Sequence, residues 1–187
     1  MKKIILASKS PRRKELLSLL KLPFDIIEAN IIETIDYDND LVKEIEKLSY
    51  QKAAKVFSEH SDAIVIGSDT IVKISNKVLG KPKSYEEAEE MLHMLSGNIH
   101  EVVTAVTILV GDKIDTFSSI TEVEFFPLSD EEIETYISTN EPMDKAGAYA
   151  IQGDGAKFIK KINGDFYTVV GLPVSLLYNH LKPFLND

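Results

Sequence analysis

The pattern of apolar and polar residues predicts buried strands and an amphipathic helix in the first half of the chain. Residues 4–7 and 63–66 are continuously apolar, as in strands that are covered on both faces. Between them, residues 40–60 carry apolar side chains at helical spacing, and Lys52 lies on the same stripe. A lysine on a buried stripe either extends its ammonium to solvent or reaches an anionic site, and the pattern leaves both interpretations open.

Two later helices are marked by their first residues. Ser84 with Glu87, and Ser129 with Glu132, have the spacing of capping boxes, in which a hydroxyl and a carboxylate accept from the first backbone N–H groups. Gly97 is expected to end the first of these helices, because glycine readily adopts the left-handed conformation that follows many helices.

Paired strands dominate the second half of the pattern. We predict a hairpin of strands 102–110 and 113–126, a single strand over 148–151, and a second hairpin of strands 158–162 and 166–170 around Asn163–Gly164. Helices and strands alternate in the first half of the chain, whereas hairpins dominate the second. Together the two halves predict an α/β fold with a mixed sheet flanked by helices, not an all-parallel sheet. The length suits a single domain over residues 1–187, with an N-terminal and a C-terminal lobe around a central cleft.

Charge and composition narrow the class of function. The formal net charge of −9 argues against broad nucleic-acid binding, although a local basic pocket for a small anion can coexist with it. The chain has no cysteine, which excludes disulfides, a thiolate nucleophile and a cysteine zinc site, and its histidines show no metal or triad spacing. No apolar run approaches the roughly 20 residues that span a bilayer, so we expect a cytoplasmic protein without membrane contact.

Cations are concentrated where the first helix is predicted to begin. Ser10 followed by Pro11 marks the helix N-terminus, and Arg12 and Arg13 occupy the first turn. Cations are unfavourable there because the helix dipole is already positive. A bound phosphate would compensate for them, with the hydroxyls of Ser8 and Ser10 and the helix N–H groups as further donors. A solvated basic turn is the alternative.

Acidic and polar side chains elsewhere complete a candidate polyphosphate site. Asp69 interrupts an apolar run and is a candidate for taking a proton from water or for binding a metal, with turn punctuation as the alternative. Glu33 is the proposed second metal ligand, with a solvated loop residue as its alternative, and the Gln152 amide suits a nucleobase edge. The cations expected to bind phosphates are Arg12, Arg13, Lys52, Lys81 and Lys145. This composition favours a hard metal such as Mg²⁺ or Mn²⁺.

Six short motifs occur in an order that is specific as a set. They are Ser8-x-Ser10-Pro11-Arg12-Arg13, Gly67-Ser68-Asp69-Thr70, Gly80-Lys81-Pro82, Ser96-Gly97 through His100, the segment 144–153 (Asp144-Lys145-Ala146-Gly147-Ala148-Tyr149-x-Ile151-Gln152-Gly153) and Val170-Gly171-Leu172-Pro173. Together they resemble the Maf family of nucleoside triphosphate pyrophosphatases along nearly the whole chain. The resemblance implies an inosine-triphosphatase-like α/β fold and cleavage of a nucleoside triphosphate to the monophosphate and pyrophosphate.

The resemblance also implies roles for individual residues. Asp69 occupies the position of the family's proton acceptor, and the positions of Arg12, Thr70 and Gln152 set the base preference. Thr70 with Gln152 is similar to the branch that acts on dTTP and UTP. We therefore expect hydrolysis of dTTP and UTP, with clearance of modified nucleotides as a further role. Whether Asp69 acts as the general base or mainly as a metal ligand stays open at this point.

A nucleotide-binding regulator of cell division or septum formation, without turnover, is the alternative from another class. The carboxylate of Asp69 beside a full set of cations favours the enzyme, because a regulator does not need it. An RNA-binding domain is disfavoured, since the sequence lacks a basic surface with aromatic platforms. The expected partner is a nucleoside triphosphate, with no stable nucleic-acid complex. A homodimer is expected only because symmetric dimers are common.

Overall fold

Seven strands and six α-helices lie in residues 2–36 and 39–185, which this computed structural model describes. The strands are β1 (Ile4–Leu6), β2 (Phe24–Ile26), β3 (Ile64–Ile74), β4 (Lys77–Leu79), β5 (Ile99–Val110), β6 (Lys113–Phe125) and β7 (Ile159–Asn163). The helices are α1 (Pro11–Ser18), α2 (Leu41–Phe57), α3 (Tyr85–Leu95), α4 (Asp130–Ser138), α5 (Phe166–Val170) and α6 (Val174–Leu185). Short 3₁₀ helices cover Glu141–Asp144, Ala146–Ala148 and Asp154–Phe158.

The strands form one mixed sheet flanked by helices, which confirms the fold class expected from the sequence. The strand order is β2-β1-β3-β5-β6-β7, and β4 pairs with β3. β1 is parallel to β2 and β3, whereas β4 is antiparallel to β3 and β7 is antiparallel to β6. Parallel pairing requires crossover connections, and α1 and α2 lie in those of β1. None of the helices described is both long and apolar enough to cross a membrane.

The chain forms two units that interleave along the sequence. Unit 1 comprises Met1–Asp69, Thr104–Ser119 and Gly171–Asp187, and unit 2 comprises Thr70–Val103 and Ile120–Val170. The strands β3, β5 and β6 each begin in one unit and end in the other. The expected division into an N-terminal and a C-terminal lobe is therefore wrong, because long strands belong to both units.

In unit 1, the backbone of α2 packs directly against β3 at Gly67. A Cβ atom on Gly67 would lie 2.2 Å from the carbonyl oxygen of Ser49 and 2.7 Å from the amide nitrogen of Ala53. Only glycine permits this approach, because backbone atoms cannot move aside as the end of a flexible side chain can. The buried apolar cluster around the contact contains Ile5, Ala7, Ala53, Val56, Ala63, Val65 and Leu109. The Gly67 contact therefore fixes where α2 lies on β3.

The core of unit 2 is aromatic and contains a buried histidine. Tyr136 and Phe158 pack edge to face, with ring centroids 5.0 Å apart. His100 is 2% exposed, and its Nε2 lies 2.8 Å from the hydroxyl of Tyr149. Burial lowers the pKa of His100 to about 4, so the imidazole is neutral near pH 7. His100 is thus part of the core of this unit.

The predicted capping residues begin their helices. In α4, Ser129 and Glu132 form a complete capping box, since each side chain accepts from the backbone N–H of the other residue. In α3, the Ser84 hydroxyl accepts from the Glu87 amide at 3.2 Å, but the Glu87 carboxylate accepts from the Lys83 amide instead. The long hairpin is also confirmed, with β5 and β6 adjacent in the sheet and joined by two residues.

The strand predicted over residues 148–151 is wrong. The segment begins with a 3₁₀ helix, Ala146–Ala148, in which Ala148 has a positive φ of 57°. The amide of Ala150 then donates to the hydroxyl of Tyr136 at 3.0 Å. A buried side chain thus takes the place of a neighbouring strand as the hydrogen-bond partner of this backbone.

The hairpin predicted around Asn163–Gly164 is also wrong, because α5 follows β7 in place of a second strand. Asp165 Oδ2 accepts from the amide of Thr168 at 2.7 Å and from its hydroxyl at 2.8 Å. The hydroxyl of Thr121 in turn bonds to the backbone of Asp165. This capping of the first turn favours a helix over the strand that the apolar pattern predicts.

Replacing Gly67 with alanine is expected to lower the free energy of unfolding by about 1–3 kcal/mol, because the added methyl overlaps backbone atoms of α2. Gly80→Ala is the matched control, since a Cβ at Gly80 has no neighbour within 4 Å, and its effect should stay within about 0.5 kcal/mol. Urea unfolding followed by circular dichroism measures both variants. Equal midpoints for the two would contradict the close contact.

Candidate active site

Lys52 and Asp69 form a buried ion pair in unit 1. Lys52 lies on α2, Asp69 lies in the middle of β3, and the two residues are 7% and 8% exposed. The Lys52 ammonium donates a hydrogen bond to Oδ1 of Asp69. Burial of two charges is tolerated because each is the partner of the other. The ammonium therefore does not extend to solvent. The geometry supports the interpretation in which Lys52 reaches into a candidate site.

Asp69 is part of a continuous strand and not of a turn. β3 runs without interruption from Ile64 to Ile74, so the interpretation of this aspartate as turn punctuation is wrong. The residues Gly67-Ser68-Asp69-Thr70 break the apolar pattern but not the strand. The buried side chains of Ser68 and Asp69 have polar partners within the fold, which explains why a strand tolerates them at this depth.

Glu33 joins this pair from the loop that precedes α2. Its Oε1 lies 2.8 Å from Nζ of Lys52, and its side chain is 55% exposed. One ammonium is thus shared by a buried carboxylate and a half-exposed one. The sequence placed Glu33 and Asp69 only in the same list of candidates, and the fold brings both to Lys52.

Arg13 is held beside this cluster by a backbone carbonyl. Its Nε donates to the carbonyl oxygen of Gly171 at 2.9 Å, and the same oxygen accepts from the Ser68 hydroxyl at 3.3 Å. Burial lowers the pKa of Arg13, and the charge of Asp69 partly opposes that effect. The charges of Arg12 and Glu33 also act on this guanidinium, Arg12 lowering its pKa and Glu33 raising it. The charges of Arg12, Asp69 and Glu33 thus all act on the Arg13 guanidinium.

The N-terminus of α1 has the cap that the sequence predicts. The Ser10 hydroxyl accepts from the Arg13 amide at 3.4 Å, and the Ser8 hydroxyl accepts from the Ser10 amide at 3.2 Å. Ser8 is buried, and the first turn of α1 contains no acidic residue. This helix end therefore combines a positive dipole with two cations, an arrangement that favours an anion.

The remaining candidates belong to unit 2. Thr70 directly follows Asp69 in β3 and is partly buried, while Lys81 and Gln152 are exposed. The Lys145 ammonium contacts the carboxylate of Asp144 and lies 3.3 Å from the carbonyl oxygen of Glu141. Lys145 and Gln152 lie between α4 and β7, on either side of residues 148–151, for which the sequence pattern predicted a strand.

The carboxylates fit a divalent cation that is bound together with phosphates. Among residues 2–36 and 39–185, no three histidine, cysteine, aspartate or glutamate side chains form a group that could hold a metal ion. Magnesium in phosphate-transfer sites is typically held by one or two carboxylates, with phosphate and water oxygens as the other ligands. Asp69 and Glu33, which contact the same ammonium, are two such carboxylates.

Sequence reasoning assigned no role to several residues that shape the site. Gly171 and Ser68 were noticed only as members of motifs, yet the Gly171 carbonyl orients Arg13 and also bonds to Ser68. A backbone carbonyl leaves no trace in residue type, so no pattern could have identified this contact. Gly67 offered a better signal, since a glycine inside an apolar strand indicates the close approach of another backbone.

Comparisons with known proteins confirm the resemblance to the Maf family. The family model described as Maf-like protein matches residues 3–184. A Bacillus velezensis protein named dTTP/UTP pyrophosphatase is 52% identical over 183 residues, which are 98% of this chain and 97% of that protein. Proteins of the same name from Bacillus cereus and Bacillus cytotoxicus are each 50% identical over 184 residues, 98% of this chain and 96% of theirs. Since these matches extend over nearly the full length, this chain belongs to the Maf family.

Proposed function

We propose that this protein hydrolyses dTTP and UTP to the nucleoside monophosphate and diphosphate. The observation that carries the proposal is the buried Asp69 carboxylate. It is paired with Lys52, and its charge also acts on the Arg13 guanidinium. A carboxylate among fixed cations suits attack of water on a triphosphate, where negative charge shifts towards the leaving group. The relatives named dTTP/UTP pyrophosphatase, at about half identity over nearly the full length, support the same substrates.

The proposed reaction uses Asp69 as the acceptor of a proton from water. The water oxygen forms a bond to the α-phosphorus, and its proton passes to the carboxylate of Asp69. The bond from the α-phosphorus to the oxygen that bridges to the β-phosphorus breaks, and pyrophosphate leaves with the electron pair. Lys52 orients the carboxylate through its hydrogen bond to Oδ1. The alternative within this proposal is that Asp69 acts chiefly as a metal ligand.

The cations are proposed to bind the triphosphate. The residues assigned to this role are Ser8, Arg12, Arg13, Lys52, Lys81 and Lys145. A divalent cation such as Mg²⁺ or Mn²⁺ supplies, when bound, further neutralisation of the phosphate oxygens, and Asp69 and Glu33 are the residues that would hold it. Arg13 is the best supported of the group, because the Gly171 carbonyl fixes the direction of its side chain and the charge of Asp69 acts on its guanidinium.

Base preference is assigned to Arg12, Thr70 and Gln152. A glutamine amide carries one acceptor and two donors, and can match the donor and acceptor pattern on the edge of a pyrimidine. Gln152 is exposed, so its amide is accessible to a nucleotide from solvent. Thr70 directly follows Asp69 in β3 and is partly buried.

The proposal also covers the setting of the enzyme. We propose that it acts in the cytoplasm as a homodimer, that it also clears modified nucleotides, and that it forms no stable complex with nucleic acid. The net charge of −9 supports the last point, because phosphate backbones repel an acidic surface.

A nucleotide panel tests the proposed function directly. The purified protein is mixed with dTTP, UTP, CTP, dATP and GTP in the presence of Mg²⁺ or Mn²⁺, and pyrophosphate release is measured. We expect release from dTTP and UTP above the other nucleotides, and loss of activity with EDTA that excess Mg²⁺ restores. Binding of dTTP without release of pyrophosphate would contradict the enzyme and favour a regulator.

Asp69→Asn is expected to reduce turnover of dTTP roughly 10²- to 10⁴-fold, the usual contribution of a general base. Asp62→Asn, an exposed aspartate of unit 1, is the matched control and should keep full activity. Because loss of a charge from a buried ion pair also destabilises the fold, thermal melting is recorded for both variants. Pyrophosphate release by folded Asp69→Asn at the wild-type rate would refute the assignment.

Arg13→Ala is expected to lower kcat/KM for dTTP about tenfold to a hundredfold, because a charge-assisted contact to phosphate is lost. Lys14→Ala removes an exposed cation from the neighbouring position of the same helix turn and should have little effect. Steady-state kinetics at fixed ionic strength separate the two variants. Equal losses would indicate general charge attraction and not a directed contact from Arg13.

A further inference from the structure

Glu141 holds the backbone that immediately follows Gln152. Its Oε1 accepts from the Asp154 amide at 3.1 Å, and its Oε2 accepts from the Gly155 amide at 3.2 Å. These amides open the 3₁₀ helix Asp154–Phe158, whose first N–H groups need acceptors. The residue at the cap position, Gly153, has no side chain to provide one. Glu141, which lies 12 residues before Gly153 in the chain, therefore caps this helix in its place.

Tyr136 holds the backbone that precedes Gln152. Its hydroxyl accepts from the Ala150 amide at 3.0 Å, and its side chain is almost fully buried. Burial raises the pKa of Tyr136, and its hydrogen bond to the Glu141 carboxylate raises that pKa further. The Tyr136 hydroxyl thus accepts from the backbone on one side of Gln152, and Glu141 accepts from the backbone on the other side.

The segment between the two anchors is the turn 151–153, which we call the Gln152 turn. A Cβ atom on Gly153 would lie 1.7 Å from Oε1 of Glu141. The carboxylate therefore packs against bare backbone, and no larger residue fits at position 153 while Glu141 keeps its place. Both ends of the turn are held by side chains, Tyr136 before it and Glu141 after it, although Gln152 itself is exposed.

We propose that Glu141, with Tyr136, is a positioning residue for base selection. The inference rests on the proposed function, in which the Gln152 amide contacts the base. Hydrogen bonds to a base edge depend on direction, so a turn that is free to shift would contact correct and incorrect bases more equally. Neither Glu141 nor Tyr136 needs to touch the nucleotide for this role, since both act through the backbone on either side of Gln152.

The test compares base discrimination in Glu141→Gln and wild-type protein. Glutamine keeps the length of the side chain but replaces one acceptor oxygen with an NH₂ group, which cannot accept from the second amide. The ratio of kcat/KM for dTTP to that for CTP is expected to fall roughly tenfold, through a higher KM for dTTP with kcat little changed. Glu134→Gln removes the same charge from an exposed position of α4 and should leave the ratio unchanged.

A double-mutant cycle with Gln152→Ala separates positioning from a general loss of stability. If Glu141 acts through Gln152, then Glu141→Gln in the Gln152→Ala background should cause little further loss of discrimination. Tyr136→Phe, which removes only the hydroxyl, should reproduce part of the effect and serves as the second variant if Glu141→Gln folds poorly.

The outcomes for this inference and for the proposed function are distinct. A wild-type protein that releases no pyrophosphate from dTTP or UTP would refute the proposed function. A wild-type protein that prefers dTTP, with Glu141→Gln and Tyr136→Phe variants that melt earlier but keep the same dTTP to CTP ratio, would overturn only the positioning role. Equal losses for dTTP and CTP would overturn it as well.

Discussion

The buried contact between Lys52 and Asp69 is the interaction on which the site in unit 1 depends. It exists because α2 lies so close to β3 that their backbones meet at Gly67. Two charges that would each be unfavourable in a protein interior become tolerable as a pair, and Glu33 adds a second carboxylate to the same ammonium. The packing of α2 on β3 therefore also places the carboxylate of Asp69 beside Lys52.

Arg13 and the N-terminus of α1 add positive charge beside this pair. The neutral carbonyl of Gly171 orients Arg13, and the same oxygen accepts from the hydroxyl of Ser68 in β3. The N-terminus of α1 adds the positive end of a helix dipole and no acidic residue in its first turn. A protein with a net charge of −9 thus concentrates positive charge locally, which is the condition for binding a small polyphosphate.

Unit 2 uses neutral buried groups where unit 1 uses ions. His100 bonds to Tyr149, and Tyr136 bonds to the Ala150 amide, so polar side chains in the aromatic core hold the segment that carries Lys145 and Gln152. The segment lacks regular strand structure and receives its shape from these anchors and from Glu141. An exposed residue such as Gln152 can in this way have a defined backbone geometry without lying on a helix or strand.

Local sequence determined the features that depend on neighbouring residues. Helix starts at Ser84 and Ser129, the hairpin of β5 and β6, and the mixed α/β class follow from caps, turn residues and apolar spacing. The same local rules failed at 148–151 and 166–170, because Tyr136 and Asp165 supply hydrogen bonds that an apolar pattern does not contain. The motifs identified Asp69 and Arg13 as candidates and the apolar stripe of a predicted helix identified Lys52, but only the tertiary structure decided that Lys52 contacts both Asp69 and Glu33. The physical reason is that such contacts join residues far apart in the chain, and their distances are set by the packing of whole elements.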